Sequence, residues 1–152
     1  MKQVLIINAG QKFAHSGGKY NQTVTDNSIA FFEKFDDVEV QLTNIETGYD
    51  IEEEVKKFVS ADFILYHTPM WWFQLPHGFK KYIDEVFTAG HKKGIYLSDG
   101  RSSQHPNINY GTGGMLKGRK YMVTSSWNAP KTAFTLPGEF FNETSVDDGP
   151  LF

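Results

Sequence analysis

Residues 14–23 contain small and polar side chains that could bind a phosphate group. Gly17 and Gly18 precede a segment with the apolar spacing of a helix, and free backbone N–H groups at a helix start attract anions. The segment is neither the GxGxxG fingerprint nor a P-loop. We expect a phosphate or pyrophosphate site here, with a flexible loop ending in an Asn21 N-cap as the alternative. The candidate residues are His15, Ser16, Gly17, Gly18, Lys19, Tyr20, Asn21, Gln22 and Thr23.

Residues 68–75 place two tryptophans and a phenylalanine between a predicted strand and a predicted helix. Three adjacent large rings in a connection cannot all point inward, and an exposed apolar cluster usually marks a binding surface. A flat isoalloxazine ring would suit such a cluster. The alternative is a subunit interface, and both hold if the site lies at that interface. The candidate residues are Pro69, Met70, Trp71, Trp72 and Phe73.

A third group of residues follows the last predicted strand. Ser126, Trp127, Asn128 and Ala129 again combine an aromatic ring with polar groups at a strand end. The long loop before that strand holds residues 110–114, Tyr-Gly-Thr-Gly-Gly, where glycines would let the backbone approach a ring closely. Agreement among these loops favours a bound aromatic cofactor.

Other chemistries find little support in the sequence. The chain has no cysteine, and its five histidines lack the spacing of zinc enzymes, so we expect no metal site. Residues 52–54 are three consecutive glutamates, which we interpret as a solvated helix start because acidic residues favour that end of the helix dipole. Asp84 and Glu85 are expected at the surface of a helix.

The elements that must position these loops alternate between strands and helices. Continuous apolar runs predict buried parallel strands, alternation predicts an edge-like second strand, and helical spacing predicts the helices. Pro76 lies where the third helix should start. The predicted strands are 4–7, 38–42, 63–66 and 121–126, and the predicted helices are 21–35, 51–59 and 76–87.

This order predicts an α/β protein with a flavodoxin-like, doubly wound parallel sheet in three layers. Ligands of such sheets bind beyond the carboxyl ends of strands one and three, where the strand order reverses. The region after Ser126 contains Pro130, Pro137, Gly138 and Pro150 but no further apolar strand run. A fifth strand is therefore missing from the prediction. We expect the chain to be a fragment of a longer protein, the alternative being a last strand supplied from elsewhere.

The composition agrees with one folded domain over residues 1–152. Hydrophobic residues make up 39% and charged residues 22%, as in ordinary globular proteins. The net charge of −3 argues against nucleic-acid binding. No signal peptide and no apolar run long enough for a membrane span are found, so we expect a cytoplasmic protein.

Several short motifs resemble the flavodoxin-like NAD(P)H:quinone oxidoreductases, specifically the bacterial modulator of drug activity B type. The likeness covers essentially the whole chain, and the Ser-Asp-Gly-Arg and Trp-Asn-Ala-Pro motifs carry it most specifically. The matching segments are 12–16, 71–72, 80–84, 86–91, 98–101, 110–114, 118–122 and 127–130.

The resemblance implies FAD, rather than FMN, as cofactor, and a homodimer with its sites at the interface. It implies a ping-pong reaction in which NAD(P)H, with NADPH favoured, passes a hydride through flavin N5 to a quinone. Residues 16–23 would hold the FAD phosphates and ribityl chain, while 70–73 and 126–129 would contact the isoalloxazine. Tyr110 would reach the flavin and is the candidate proton donor.

Two alternatives differ in function class. One is a flavodoxin that carries single electrons on FMN, although such carriers are usually more acidic than this chain. The other is a small-ligand binding module without flavin chemistry. The sequence also lacks the Tyr and His that mammalian enzymes of this group carry after the fourth strand. Phe134, Phe140 and Phe141 lie there instead, so no Tyr/His proton relay is expected.

Overall fold

The computed structural model describes residues 1–141, so Pro150 and Phe152 lie outside the described residues. It contains a four-stranded sheet in the order β2-β1-β3-β4, with all neighbouring strands parallel. The strands are β1 Lys2–Asn8, β2 Val38–Asn44, β3 Phe63–Pro69 and β4 Lys120–Ser126. The predicted flavodoxin-like arrangement, with strand β2 at one edge, is confirmed.

Helices connect these strands and cover both faces of the sheet. They are α1 Lys19–Phe32, α2 Ile51–Ser60, α3 His77–Ala89 and the short α4 Thr132–Thr135, with a 3-10 turn at Ile45–Thr47. Helix α1 begins two residues before its predicted start, directly after Gly18 in the left-handed region, and ends three residues before its predicted end. Pro76 lies just before α3 rather than inside it. Helix α4 was not predicted, since four residues are too few to show a helical period.

Strand β1 is buried on both faces and divides the core into two layers. Its Leu5 and Ile7 pack with α2 and α3, around Phe58 and Tyr82. Its Val4 and Ile6 pack with Leu65 and the partly buried apolar residues of α1. This explains the continuous apolar run, because a central parallel strand has no solvent face.

Strand β4 forms the second edge of the sheet in the described residues. Its Tyr121, Met122 and Val123 are about half exposed or more, although they lie in the middle of a strand. Within residues 1–141 the sheet has no fifth strand. That the chain is a fragment of a longer protein stays a prediction. No helix in this described part is long and apolar enough to cross a membrane.

The prediction of a solvated glutamate cluster at the start of α2 is wrong for Glu54. Its side chain is 2% exposed and accepts hydrogen bonds from Thr43 Oγ1 at 2.6 Å and Tyr82 Oη at 2.7 Å. Lys57 Nζ lies 2.6 Å from its second oxygen. The helical phase of α2 turns Glu54 toward the core, whereas Glu52 and Glu53 remain exposed. Burial and this carboxylate together raise the pKa of the Tyr82 hydroxyl.

We expect Glu54→Ala to lower the free energy of unfolding by about 2–4 kcal/mol, because Thr43 and Tyr82 would lose their acceptor inside the core. Guanidinium denaturation measures the change. Glu53→Ala, one residue earlier and exposed, is the matched control and should stay within about 0.5 kcal/mol of the parent protein. Equal effects of the two substitutions would contradict the buried role of Glu54.

A second buried polar group lies on the α1 face of the sheet. His67 on β3 is 1% exposed; its Nε2 lies 3.0 Å from Ser28 Oγ and its Nδ1 lies 2.6 Å from Thr124 Oγ1. Both partners are hydroxyl groups, so no carboxylate among them supports a charged imidazole. Desolvation by burial lowers the pKa of His67 below its ordinary value.

This lowered pKa predicts a pH-dependent stability. Below the ordinary histidine pKa of about 6.5, the unfolded chain binds a proton that the folded chain does not. The free energy of unfolding should therefore fall as the pH decreases from 7 to 5, with His67 contributing a slope of up to about 1.4 kcal/mol per pH unit. Denaturation of the parent protein and of His67→Gln across this range tests it. An identical pH slope in the two proteins would exclude this role for His67.

Candidate functional site

The carboxyl ends of β1, β3 and β4 meet at one edge of the sheet, and a loop leaves each of them. We call residues 9–18 loop 1, residues 70–76 loop 2 and residues 127–131 loop 3. Backbone bonds join neighbouring strand ends, from Ala9 N to His67 O at 2.8 Å and from Met70 N to Ser126 O at 2.9 Å. The structure therefore brings together the three segments that the sequence singled out.

Loop 1 ends in an uncapped helix N-terminus. Gly18 has φ 68°, and within residues 1–141 no side chain caps the N-terminus of α1 by a hydrogen bond. The alternative prediction of an Asn21 N-cap is wrong, because Asn21 lies inside the first turn and is 5% exposed. Uncapped N–H groups at this end of a 14-residue helix suit a phosphate group.

The Asn21 side chain connects α1 to β4. Its Oδ1 accepts a hydrogen bond from Ser126 Oγ at 3.0 Å. Gly10 makes this approach feasible, because a Cβ at that position would lie 2.7 Å from Asn21 Cβ. A cavity of about 250 Å³ lies beside this contact, lined by residues 16–21 together with Pro69 and Ser126.

Asn8, at the end of β1, fixes the start of loop 1 by hydrogen bonds. Its positioning role was not predicted from the sequence. Asn8 is 2% exposed; its Oδ1 accepts from Gly10 N at 2.9 Å and its Nδ2 donates to Gln22 Oε1 at 3.0 Å. A polar residue closing a buried apolar strand was the available signal. Asn8 also lines a second cavity of about 330 Å³, which extends along loop 1 to Asn44 and Glu46 near the end of β2.

Loop 2 contains a tight turn with two aromatic residues in the left-handed region. Trp72 has φ 52° and Phe73 has φ 63°. The turn is closed by Trp71 N to Gln74 O at 2.9 Å and Gln74 N to Trp71 O at 3.0 Å. Positive φ at both central residues is the geometry of a type I′ turn, which normally carries Asn-Gly. Each non-glycine residue there costs about 1–2 kcal/mol.

Aromatic rings join loop 1 to loop 2. The Phe13 and Trp71 rings stack at 5.2 Å between centroids, and both lie beside His77 at the start of α3. Trp72 is 90% exposed, so its ring contributes little to the packing of the core. The sequence prediction that this aromatic cluster cannot all point inward is confirmed.

Loop 3 belongs to a second aromatic group, which contacts loop 2 through Phe73. Trp127 packs edge-on against Phe134 and Phe141, which stack on each other at 4.2 Å. Phe73 of loop 2 stacks on Phe140 at 5.1 Å. Phe134, Phe140 and Phe141 thus form an aromatic cluster next to loops 2 and 3, in which Phe141 is buried and Phe140 is exposed.

Tyr110 is not brought to these loops. It lies in a hairpin of residues 95–115 whose base is closed by Met115 N to Ile95 O at 2.8 Å and Leu97 N to Gly113 O at 2.9 Å. Its ring contacts the Arg101 guanidinium, at 5.1 Å, and no residue of loops 1–3. Gly113 packs against the Ser98 carbonyl, so this glycine shapes the hairpin itself rather than an approach to a ring. A contact of Tyr110 with a flavin held by its own chain is unsupported by this geometry.

A family model described as a flavodoxin-like fold matches residues 2–149. The chain belongs to this flavodoxin-like family. Among curated relatives, NADPH:quinone oxidoreductase MdaB of Haemophilus influenzae is 43% identical over 144 residues, which cover 95% of this chain and 74% of the relative. The predicted resemblance is confirmed.

Solved structures share the flavodoxin-like fold. A Klebsiella pneumoniae protein provisionally described as a quinone reductase has a TM-score of 0.66 at 19% identity, over 99% of this chain and 66% of that one. General stress protein 14 of Treponema denticola, in complex with FMN, has a TM-score of 0.53 at 21% identity, over 88% of this chain and 66% of that one. The chain thus spans about two thirds of these solved proteins.

The remaining predicted site residues of this family member lie around the same edge. Residues of loop 1 and the first turns of α1 surround the uncapped helix start, and Asn128 and Ala129 follow Trp127 in loop 3. Lys19, Tyr20 and Thr23 are exposed on α1, and His15 is exposed at the tip of loop 1. Among residues 1–141, no group of three His, Cys, Asp or Glu side chains could hold a metal ion.

The described residues fit a phosphate-bearing aromatic cofactor. The uncapped start of α1, the Gly17–Gly18 backbone and the Lys19 ammonium suit the phosphate. Gln11, inside loop 1, has its side-chain amide against Gly78 of α3, and its Oε1 is a buried acceptor without a hydrogen-bond partner among the described residues. The backbone N–H groups of Trp72 and Phe73 likewise donate to no described residue. Unpaired donors next to exposed rings are what a flat, polar-edged ring system requires.

We expect Asn8→Ala to lower the free energy of unfolding by about 1–3 kcal/mol, since Gly10 N–H would be buried without an acceptor. Asn8→Asp keeps that acceptor but buries a carboxylate and turns an oxygen toward Gln22 Oε1, so it should also be destabilising. Asn27→Ala, exposed on α1, is the control of the same residue type. Urea denaturation of the three variants makes the comparison, and a loss in Asn27→Ala as large as in Asn8→Ala would refute the positioning role.

Proposed function

We propose that the chain is a flavin-dependent NAD(P)H:quinone oxidoreductase that acts as one flavin-binding unit. The observation that carries this proposal is the uncapped start of α1 beside the left-handed Trp72–Phe73 turn, at the strand ends where flavodoxin-like folds bind ligands. The 43% identity to an NADPH:quinone oxidoreductase supports the same activity and favours NADPH as donor.

Loop 1 and the first turns of α1, residues 15–23, would hold the phosphate end of the flavin. The two cavities that share Gly17, Gly18 and Lys19 extend from Ser126 on the β4 side to Asn44 on the β2 side. A single FMN phosphate needs only one of them. Their combined length therefore supports FAD, with a pyrophosphate and adenosine along loop 1.

Loops 2 and 3 would hold the isoalloxazine through residues 69–73 and 126–129. The N–H groups of Trp72 and Phe73 would donate to its polar edge, where negative charge develops on reduction. The rings of Trp71, Trp72 and Trp127 would form a flat apolar slot that excludes water. When bound, the flavin supplies hydride acceptance from NAD(P)H and two-electron donation to the quinone.

The slot requires no acid or base of its own, because solvent can protonate the hydroquinone anion that hydride transfer to a quinone produces. Apart from His77 beside Trp71, the described ring contacts of loops 2 and 3 are to phenylalanines. We further propose a cytoplasmic homodimer. The 95–115 hairpin, with Leu97, Ile108 and Tyr110 exposed, would then bring Tyr110 to the site of the second copy.

The proposal predicts that added FAD, or FMN less effectively, supports menadione-dependent oxidation of NADPH with parallel double-reciprocal plots. Trp72→Ala should weaken flavin binding about three- to tenfold, because an aromatic contact contributes about 0.5–1.5 kcal/mol. Trp72 is 90% exposed, so its loss should leave the fold unchanged. Fluorescence quenching measures the affinity.

The control is Phe31→Ala, which removes an exposed aromatic ring from α1, away from loop 2. This variant should bind flavin like the parent protein. Flavin binding without NADPH oxidation would favour a single-electron carrier instead. Absence of binding to either flavin would contradict the proposed function.

A further inference from the structure

The Trp72–Phe73 turn needs support from outside itself. Two bulky residues at positive φ are disfavoured, and the reciprocal bonds between Trp71 and Gln74 would form equally well around the usual Asn-Gly pair. Trp71, at one end of the turn, stacks on Phe13. Of the two central residues, Trp72 is 90% exposed and makes no ring contact within residues 1–141, whereas Phe73 does make ring contacts. Support for the strained centre of the turn is therefore to be sought at Phe73.

Phe73 has two aromatic neighbours, both from the segment after β4. Its ring stacks on Phe140 with centroids 5.1 Å apart and planes 10° from parallel. It meets Phe141 edge-on at 6.1 Å. Phe141 is 8% exposed and already stacks on Phe134 within its own segment. Phe140 differs, because it is 73% exposed and its ring contacts are with Phe73 and Phe141.

The segment that carries Phe140 is fixed to the rest of the fold. Phe141 N donates to Ala133 O at 3.0 Å, which closes the chain back onto α4. Trp127 of loop 3 packs on Phe141. Phe140 is therefore held at a defined place although most of its surface faces solvent. An exposed aromatic ring in this position adds little to the core, so its main described effect is on loop 2.

We propose that Phe140 is a positioning residue for loop 2: its stack on Phe73 holds the left-handed turn that presents the Trp72 and Phe73 N–H groups to the flavin. This inference rests on the proposed function only for the identity of the ligand. Phe140 would hold the turn in the flavin-free protein as well.

Amide hydrogen exchange in the flavin-free protein tests the holding of the turn. The Trp71 and Gln74 amides, which close the turn, should exchange about five- to tenfold faster in Phe140→Ala, as expected for loss of one aromatic stack. Phe140→Tyr keeps the stack and should exchange like the parent protein. Replacing Trp72 by Asn and Phe73 by Gly in the Phe140→Ala background should restore slow exchange, because Asn-Gly forms this turn unaided.

Flavin affinity then tests the consequence. FAD and FMN should each bind about five- to tenfold more weakly to Phe140→Ala and normally to Phe140→Tyr. Phe31→Ala controls for loss of an exposed aromatic elsewhere. Unchanged exchange in Phe140→Ala, or faster exchange with unchanged flavin affinity, overturns the inference. If the parent protein binds neither flavin while Phe140→Ala still exchanges faster, the proposed function fails and the holding of the turn stands.

Discussion

Burial of strand β1 on both faces is the constraint on which the other features depend. With Leu5 and Ile7 in one layer and Val4 and Ile6 in the other, β1 can only lie inside a parallel sheet covered by helices. Parallel neighbours then require crossover helices, and crossovers bring the carboxyl ends of β1, β3 and β4 to one edge. The candidate site follows from this topology before any of its side chains is considered.

Buried polar contacts convert that edge into a defined surface. Asn8 fixes the start of loop 1, and Asn21 with Ser126 ties α1 to β4. Stacked rings then join loop 1 to loop 2, through Phe13 and Trp71, and loop 2 to the segment after α4, through Phe73 and Phe140. Within residues 1–141, the backbone N–H groups of Trp72 and Phe73 donate to no acceptor. The strained backbone of Trp72 and Phe73 thus lies where it presents N–H groups to a ligand.

The order of elements and the location of the site could be predicted from local patterns. Apolar runs mark the strands, helical spacing marks α1 to α3, and topology places the loops. The burial of Glu54 was missed, although the apolar spacing of Ile51, Val55 and Phe58 places residue 54 on the buried face of α2. The run of three glutamates favoured an exposed helix start instead. The left-handed Trp72–Phe73 turn could not be predicted from the sequence, since bulky residues are unusual in such turns. Its support, Phe140, lies 67 residues after Phe73. The hairpin that carries Tyr110 also depends on contacts within itself rather than on local propensity.

The most direct test of the central claim is the visible absorbance spectrum of the purified protein after addition of FAD and removal of free flavin, recorded anaerobically before and after NADPH. The account predicts a bound-flavin spectrum that bleaches with NADPH and returns on addition of menadione. A protein that retains no flavin, or a bound flavin that NADPH leaves oxidised, would contradict it.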